Sequence, residues 1–203
     1  MFSLVYPPTP STITGRRMSN RDELLPIVEP SGLVTGIAPR SLCHGGGMLL
    51  HPVVNLHVID RRERILLQKR SEEKESFPGM YDTSSAGHIP AGVEPMPSAL
   101  RELSEELGIT AASTDLKYAG TFRIQYQKEF HGRMFRDNEV TTVYVYDKPV
   151  DISSLTLQAS EVSEVRWFDL EEVWNEIKTD RHRFCVPTAG LNVLREYLKE
   201  RGQ

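Results

Sequence analysis

Two cysteines in 203 residues, Cys43 and Cys185, are too few for a disulfide framework, so a reduced compartment, the cytoplasm, is the expected location. Cationic excess is missing as well. The net charge is −4, which excludes an electrostatic nucleic-acid binder. No stretch approaches the ~18 consecutive apolar residues of a membrane span. The first 17 residues, MFSLVYPPTPSTITGRR, lack acids and lack the apolar core of a secretory signal. Their Pro, Ser and Thr predict a disordered tail over residues 1–20, with Met18 an alternative start. Internal repeats are absent too. What remains is the composition of a soluble protein, 39% hydrophobic and 26% charged, over a length that suits one domain at residues 21–203.

Within that domain the apolar pattern predicts a short antiparallel pair around a Pro30-Ser31-Gly32 turn, with Leu24 to Val28 on one arm and Leu33-Val34 on the other. Cys43 to Gly47 reads as a loop. Val53 to Ile59 and Arg64 to Arg70 read as strands joined by a polar turn, and residues 71–86 as a loop. Leu116–Gln127 and Met134–Tyr146 are β-branched and aromatic strands around His131-Gly132. Val165 to Phe168 is a short strand. Asp169 is placed to cap a helix bearing Leu170, Val173, Trp174 and Ile177. A last helix after Pro187 turns Leu191, Leu194 and Leu198 inward. Strands, helix, strands, helix, helix is the order of an α/β/α sandwich with a mixed sheet, in the α+β or α/β class.

The informative stretch is Gly87 to Ile109. Pro97 suits a first helical position and Gly108 the residue past the end. Leu100, Leu103 and Leu107 make an apolar stripe. Glu102, Glu105 and Glu106, at i, i+3 and i+4, make a stripe of carboxylates. Like charges at that spacing repel, and Glu105 and Glu106 lie in the last turn, where the helix dipole disfavours anions. A bound cation reverses both penalties, and oxygen ligands select Mg²⁺ or Mn²⁺. A solvated acidic face is the other reading of the same residues.

The stretch resembles the Nudix box, Gly-x5-Glu-x7-Arg-Glu-U-x-Glu-Glu-x-Gly-U, with U aliphatic. Every position from Arg101 to Ile109 matches, Gly87 stands at the right distance upstream, and one position departs: Val93 occupies the first glutamate's place, with Glu94 beside it. The resemblance implies an α/β/α fold and a Mg²⁺- or Mn²⁺-dependent hydrolase that cleaves a diphosphate linkage in a small molecule, such as a nucleoside diphosphate derivative. A homodimer is compatible with it. It makes Glu106 and Glu102 the first metal ligands, with Glu105 and the backbone carbonyl of Ala86 completing the set. Arg101 orients a box carboxylate. The general base is a box glutamate or an outside acid, with Glu139 ahead of Glu161 and Glu164.

Further residues resemble the ligand set of isopentenyl diphosphate isomerase, a relative that holds a divalent metal with three histidines and two acids. His44, His51, His88, Asp137 and Glu139 match those ligands, and Arg70 and Lys74 match residues that grip the diphosphate. The isomerase cysteine before Gly-His is Ala86 here, which cannot transfer a proton, and the expected tryptophan is Arg183. The comparison therefore implies a hydrolase of the isomerase-like branch. Two alternatives stay beside it: an isomerase using Glu139 with Tyr126, and a silent nucleotide-binding module. At residue level, His44 and His51 also read as structural histidines, Arg70 and Lys74 as surface charges, and Cys43 as a small buried residue.

Overall fold

The computed structural model describes residues 3–5, 23–179 and 181–202. Strands β1 (Leu24–Val28) and β2 (Val34–Pro39) form the expected antiparallel pair. Val5 lies along it. Its N–H donates to the Gly32 carbonyl at 3.2 Å and its carbonyl accepts from Val34 at 2.9 Å, with Leu4 buried beside it. Of the stretch predicted as a tail, residues 3–5 thus pack on the fold, and residues 6–20 lie outside the described residues. The helical turn α1 (Arg40–Leu42) runs into a wider π-helical turn at Cys43–Gly47 where the sequence predicts a loop. Buried Cys43 anchors that turn against Leu25 and Ala38.

The main sheet has seven strands: β3 (His51–Ile59), β4 (Arg64–Arg70), β5 (Tyr81–Asp82), β6 (Ser85–His88), β7 (Leu116–Phe130), β8 (Arg133–Tyr146) and β9 (Val162–Asp169). β3 is buried along its whole length, as its nearly continuous apolar sequence predicts for a central strand. It runs parallel to β8 on one edge. The other edge is divided: Val58 and Ile59 pair with β4, and Val53 to Leu56 pair with β6. β4 pairs with β9 on its far side and, through Gln68 and Lys69, with β5. β5 lies inside the stretch read as a loop, and β6 begins at its end. Ser-Ala-Gly-His has little intrinsic strand preference, and β6 exists because β3 offers it a free edge.

Helix α2 (Pro95–Leu107) covers one face of the sheet, α3 (Leu170–Thr179) and α4 (Thr188–Arg201) the other. Ala99, Leu103 and Leu107 pack with Val54, Leu56, Val58 and Leu66; Val173, Ile177, Leu191 and Leu194 pack with Ile65, Leu67 and Val145. Full burial of a leucine such as Leu103 contributes about 1.5–3 kcal/mol. α2 starts two residues before the predicted Pro97, because Glu94 turns its carbonyl onto the N–H and Oγ of Ser98 and Pro95 needs no partner in a first turn. It ends as predicted at Gly108, whose φ of 71° is the left-handed conformation of a helix terminus. Asp169 caps α3 through Oδ1, which accepts the N–H of Glu171 and Glu172, each at 3.0 Å.

Candidate functional site

β6 brings Ala86, Gly87 and His88 beneath α2, and the carboxylate stripe lies over them. Glu106 is only 4% exposed. Its Oε2 accepts the Ala86 N–H at 3.2 Å and the Gln68 Nε2 at 3.3 Å. Glu102 sits so close above Gly87 that a Cβ at residue 87 would collide with its carboxylate, which accounts for glycine there. Arg101 bridges the stripe: Nη2 reaches Glu102 Oε1 at 2.6 Å and the His88 carbonyl at 3.2 Å, and Nη1 reaches Glu105 Oε2 at 3.0 Å. Burial, and then Glu106 beside it, pushes the Glu102 carboxyl up to about 8. Burial pushes Glu106 up to about 7. Carboxyls raised this far are short of positive charge even with Arg101 beside them, a deficit that a divalent cation would offset. Glu105, 52% exposed, faces the solvent side of the stripe.

The second group is gathered from four parts of the chain. Alternation along β8 puts Asp137 and Glu139 on one face, and the parallel register sets His51 of β3 opposite Glu139. His44 comes from the turn after α1 and His88 from the end of β6. One ring nitrogen from each of His44, His51 and His88 lies within 4.8 Å of the others, as do a His51 ring nitrogen and a carboxylate oxygen each of Asp137 and Glu139. His44 Nε2 and His88 Nε2 are 2.9 Å apart, within hydrogen-bonding distance. His44 Nδ1 is 3.4 Å from Asp137 Oδ1, and His51 Nε2 is 3.8 Å from both Asp137 Oδ1 and Glu139 Oε1. His51 Nδ1 donates to the Leu49 carbonyl at 2.9 Å, which leaves a lone pair on Nε2. That Nε2 and Asp137 Oδ1 are buried without hydrogen-bond partners. Burial lowers His51 to about 4 and His88 well below the ordinary histidine range, so both imidazoles are neutral. Burial pushes Asp137 up, but His44 and His51 outweigh it and hold the carboxyl low; burial and Asp137 together push Glu139 well above the carboxylate range. Neutral imidazoles, one ionised acid and two orphaned ligand atoms facing each other fit a transition-metal ion.

Both groups open into one cavity of about 670 Å³ that Arg70, Lys74 and Glu161 also line. Arg70 and Lys74 reach it as implied, but each is already engaged. Arg70 donates to Asp82 Oδ2 at 3.0 Å and to Ser76 O and Oγ at 2.9 and 3.2 Å. Lys74 is paired with Glu161. Tyr126 lines the cavity; Glu164 does not, being bound to Tyr81 and Arg166. Val93 packs on the core and Glu94 stands at the cap position just before α2, and neither contributes to the lining. Arg183 pairs with Glu176 outside the cavity, and its neighbour Phe184 is in the wall. Burial pushes the Cys43 thiol up to about 11, as for an inert buried cysteine.

Sequence reasoning passed over three residues. Arg40 lines the cavity with Glu23 at 3.7 Å as its ion-pair partner, and only the docking of the β1–β2 pair brings it there. Phe135 stacks on His44 at 4.6 Å between centroids. Gln68 reads as an ordinary strand residue until β4 is seen to pass under Glu106.

Known proteins resemble this chain in sequence and in fold. The sequence profile of the NUDIX domain family matches residues 49–187. Nudix hydrolase 3 of Arabidopsis thaliana is 36% identical over 158 residues, which are 76% of this chain and 20% of that protein. An isopentenyl-diphosphate Delta-isomerase of Agromyces mediolanus is 34% identical over 110 residues, 54% of this chain and 53% of that enzyme. The chain thus spans one fifth of the first relative and about half of the second. In fold it is similar to a crystal structure from Deinococcus radiodurans, with a TM-score of 0.65 at 17% identity, covering 85% of this chain and 98% of that one.

Proposed function

This chain belongs to the NUDIX domain family, whose enzymes hydrolyse pyrophosphate bonds and generally use a divalent metal, and from that premise we propose that it cleaves the diphosphate linkage of a nucleoside diphosphate derivative or a related small molecule in the cytoplasm. The carrying observation is the pair Glu102 and Glu106, buried beside each other over β6 and pushed by that burial up to about 8 and about 7. These two would hold Mg²⁺ or Mn²⁺, with Glu105 and the Ala86 carbonyl completing the set, and an ion bound there would offset charge on the diphosphate and make the attacking water more acidic. The chain does the rest. Arg101 fixes Glu102 and Glu105 by charge-assisted hydrogen bonds. Glu105, the most exposed of the three, takes the proton as the water oxygen bonds to phosphorus and the bridging P–O bond breaks, and returns it to the leaving phosphate. Arg40, Arg70 and Lys74 face the substrate's negative charge from the cavity wall.

His44, His51, His88, Asp137 and Glu139 form a second metal position suited to Mn²⁺, Zn²⁺ or Fe²⁺. Their convergence also favours a second reading, an isomerase-like enzyme acting on an allylic diphosphate. In that reading Glu139 and Tyr126 are the proton carriers, because residue 86 offers only a methyl group. A panel of nucleoside, sugar, isoprenoid and dinucleotide diphosphates, assayed for the phosphomonoester products of hydrolysis with Mg²⁺ and then Mn²⁺, separates the two. Hydrolysis of at least one class is expected; isomerised isoprenoid diphosphate without hydrolysis would select the second reading.

A further inference from the structure

β4 passes through the middle of the protein, and Ile65, Leu66 and Leu67 on it are fully buried. Gln68 follows them at 3% exposure, a primary amide where the strand pattern calls for another apolar side chain. Its Nε2 donates to Glu106 Oε2 at 3.3 Å, and its Oε1 is buried with no hydrogen-bond partner. An unsatisfied buried carbonyl destabilises a fold, so methionine, similar in volume and free of polar atoms, would serve packing better. The amide therefore has a role other than packing.

Glu106 shows what that role is. Its Oε2 already accepts the Ala86 N–H at 3.2 Å. One donor fixes one oxygen but leaves the carboxylate free to swing about it. The second, from Gln68, sets the plane of the group and leaves Oε1 for the cavity. The backbone of Gln68 is itself held on both edges, opposite Asp82 of β5 and Val165 of β9, so the amide approaches Glu106 from a fixed base. An ionised Glu106 also dictates that the NH₂ end faces it. We propose that Gln68 is a positioning residue that orients Glu106 toward the divalent ion, at the expense of the stability of the metal-free fold. The inference rests on the reading of Glu106 as a metal ligand. Partners that orient a ligand in this way typically account for 10–100-fold in metal affinity.

The test is Gln68→Met, with Mg²⁺ binding measured by calorimetry and melting measured in chelator. Mg²⁺ is the probe because oxygen ligands select it over the histidine group. The expected result is a Kd for Mg²⁺ about 10–100-fold weaker with a melting temperature equal to wild type or higher. In a turnover assay the Mg²⁺ concentration for half-activation should rise in step, while kcat at saturating Mg²⁺ stays within a few-fold of wild type. Gln68→Thr, polar but too short to reach Glu106, should weaken Mg²⁺ binding equally and serves if the methionine variant does not fold. An unchanged Kd in a folded variant overturns the proposal, as does a large fall in melting temperature with Mg²⁺ binding intact. Glu106→Gln is the control. If it too leaves Mg²⁺ binding unchanged, the ligand reading of Glu106 has failed; if it abolishes binding while Gln68→Met does not, only the positioning role has.

Discussion

The carboxylate stripe and the histidine group lie in one cavity yet are built in opposite ways. The stripe is local, three glutamates within five residues of one helix, and its placement needs only that α2 lie on β6. The histidine group draws on residues 44 to 139 and depends on the parallel register of β3 with β8. Their electrostatics are opposed too. In the stripe, burial drives acids toward their neutral form, so a cation is needed to restore the charge. In the histidine group, burial keeps His51 and His88 neutral and ready to donate lone pairs, and one acid remains ionised. A hard ion and a softer one can therefore be sorted within a single cavity by ligand chemistry alone.

The comparison breaks most sharply under single substitutions. Glu106→Gln should keep the fold and lower kcat by at least ~10²-fold, as for loss of a metal that stabilises developing charge. Wild-type turnover in that variant, on any substrate the parent hydrolyses, removes the stripe from the mechanism. His51→Gln should leave Mg²⁺ binding intact and weaken Zn²⁺ or Mn²⁺ binding at the histidine group, checked by competition with a metal-sensitive dye. Equal loss of both ions would mean that the groups are one site.

A smaller effect separates the two by pH. Glu102 and Glu106, near 8 and 7 in the fold against 4.5 for a free carboxyl, bind protons more tightly folded than unfolded. They therefore cost the metal-free protein stability as pH rises from about 4.5 to about 8. His51, near 4 in the fold against 6.5 when free, is protonated only in the unfolded chain between those values, so its contribution rises from about pH 4 to about pH 6.5. Melting temperatures in chelator should thus fall on the alkaline side, Mg²⁺ should recover most of that loss, and Glu106→Gln should flatten it. A chelated protein equally stable at pH 6 and pH 8 would contradict the burial of the pair.

The smallest effect is expected at Val93. Since it packs on the core and Glu94 stands just before the helix, Val93→Glu should leave the Mg²⁺ titration unchanged and lower the melting temperature slightly. Tighter Mg²⁺ binding would show that a carboxylate there can reach the stripe.

The same contrast decides what the sequence could reveal. Features set by neighbours along the chain were readable: the two stripes of α2, the stop at Gly108, the cap at Asp169, and the β3–β4 and β7–β8 hairpins. The five candidate metal-ligand residues were reachable only through resemblance, because no spacing rule links His44 to Glu139. Arg40 and Gln68 carried no signal. One owes its place to the docking of a separate strand pair, the other to the passage of β4 under a helix nearly forty residues later. β5 and β6 were missed because pairing partners, not their own residues, make them strands.

β6 also sets a ruler. Ala86 touches the stripe through Glu106, and His88, two residues on, joins the histidine group. Their separation is one strand repeat, about 7 Å, and no surface loop contributes to it. Lengthening the turn at residues 60–63 or the tip at His131-Gly132 would leave that interval untouched. Loops around the cavity can therefore be remodelled for a different substrate while the distance between the two groups stays the same.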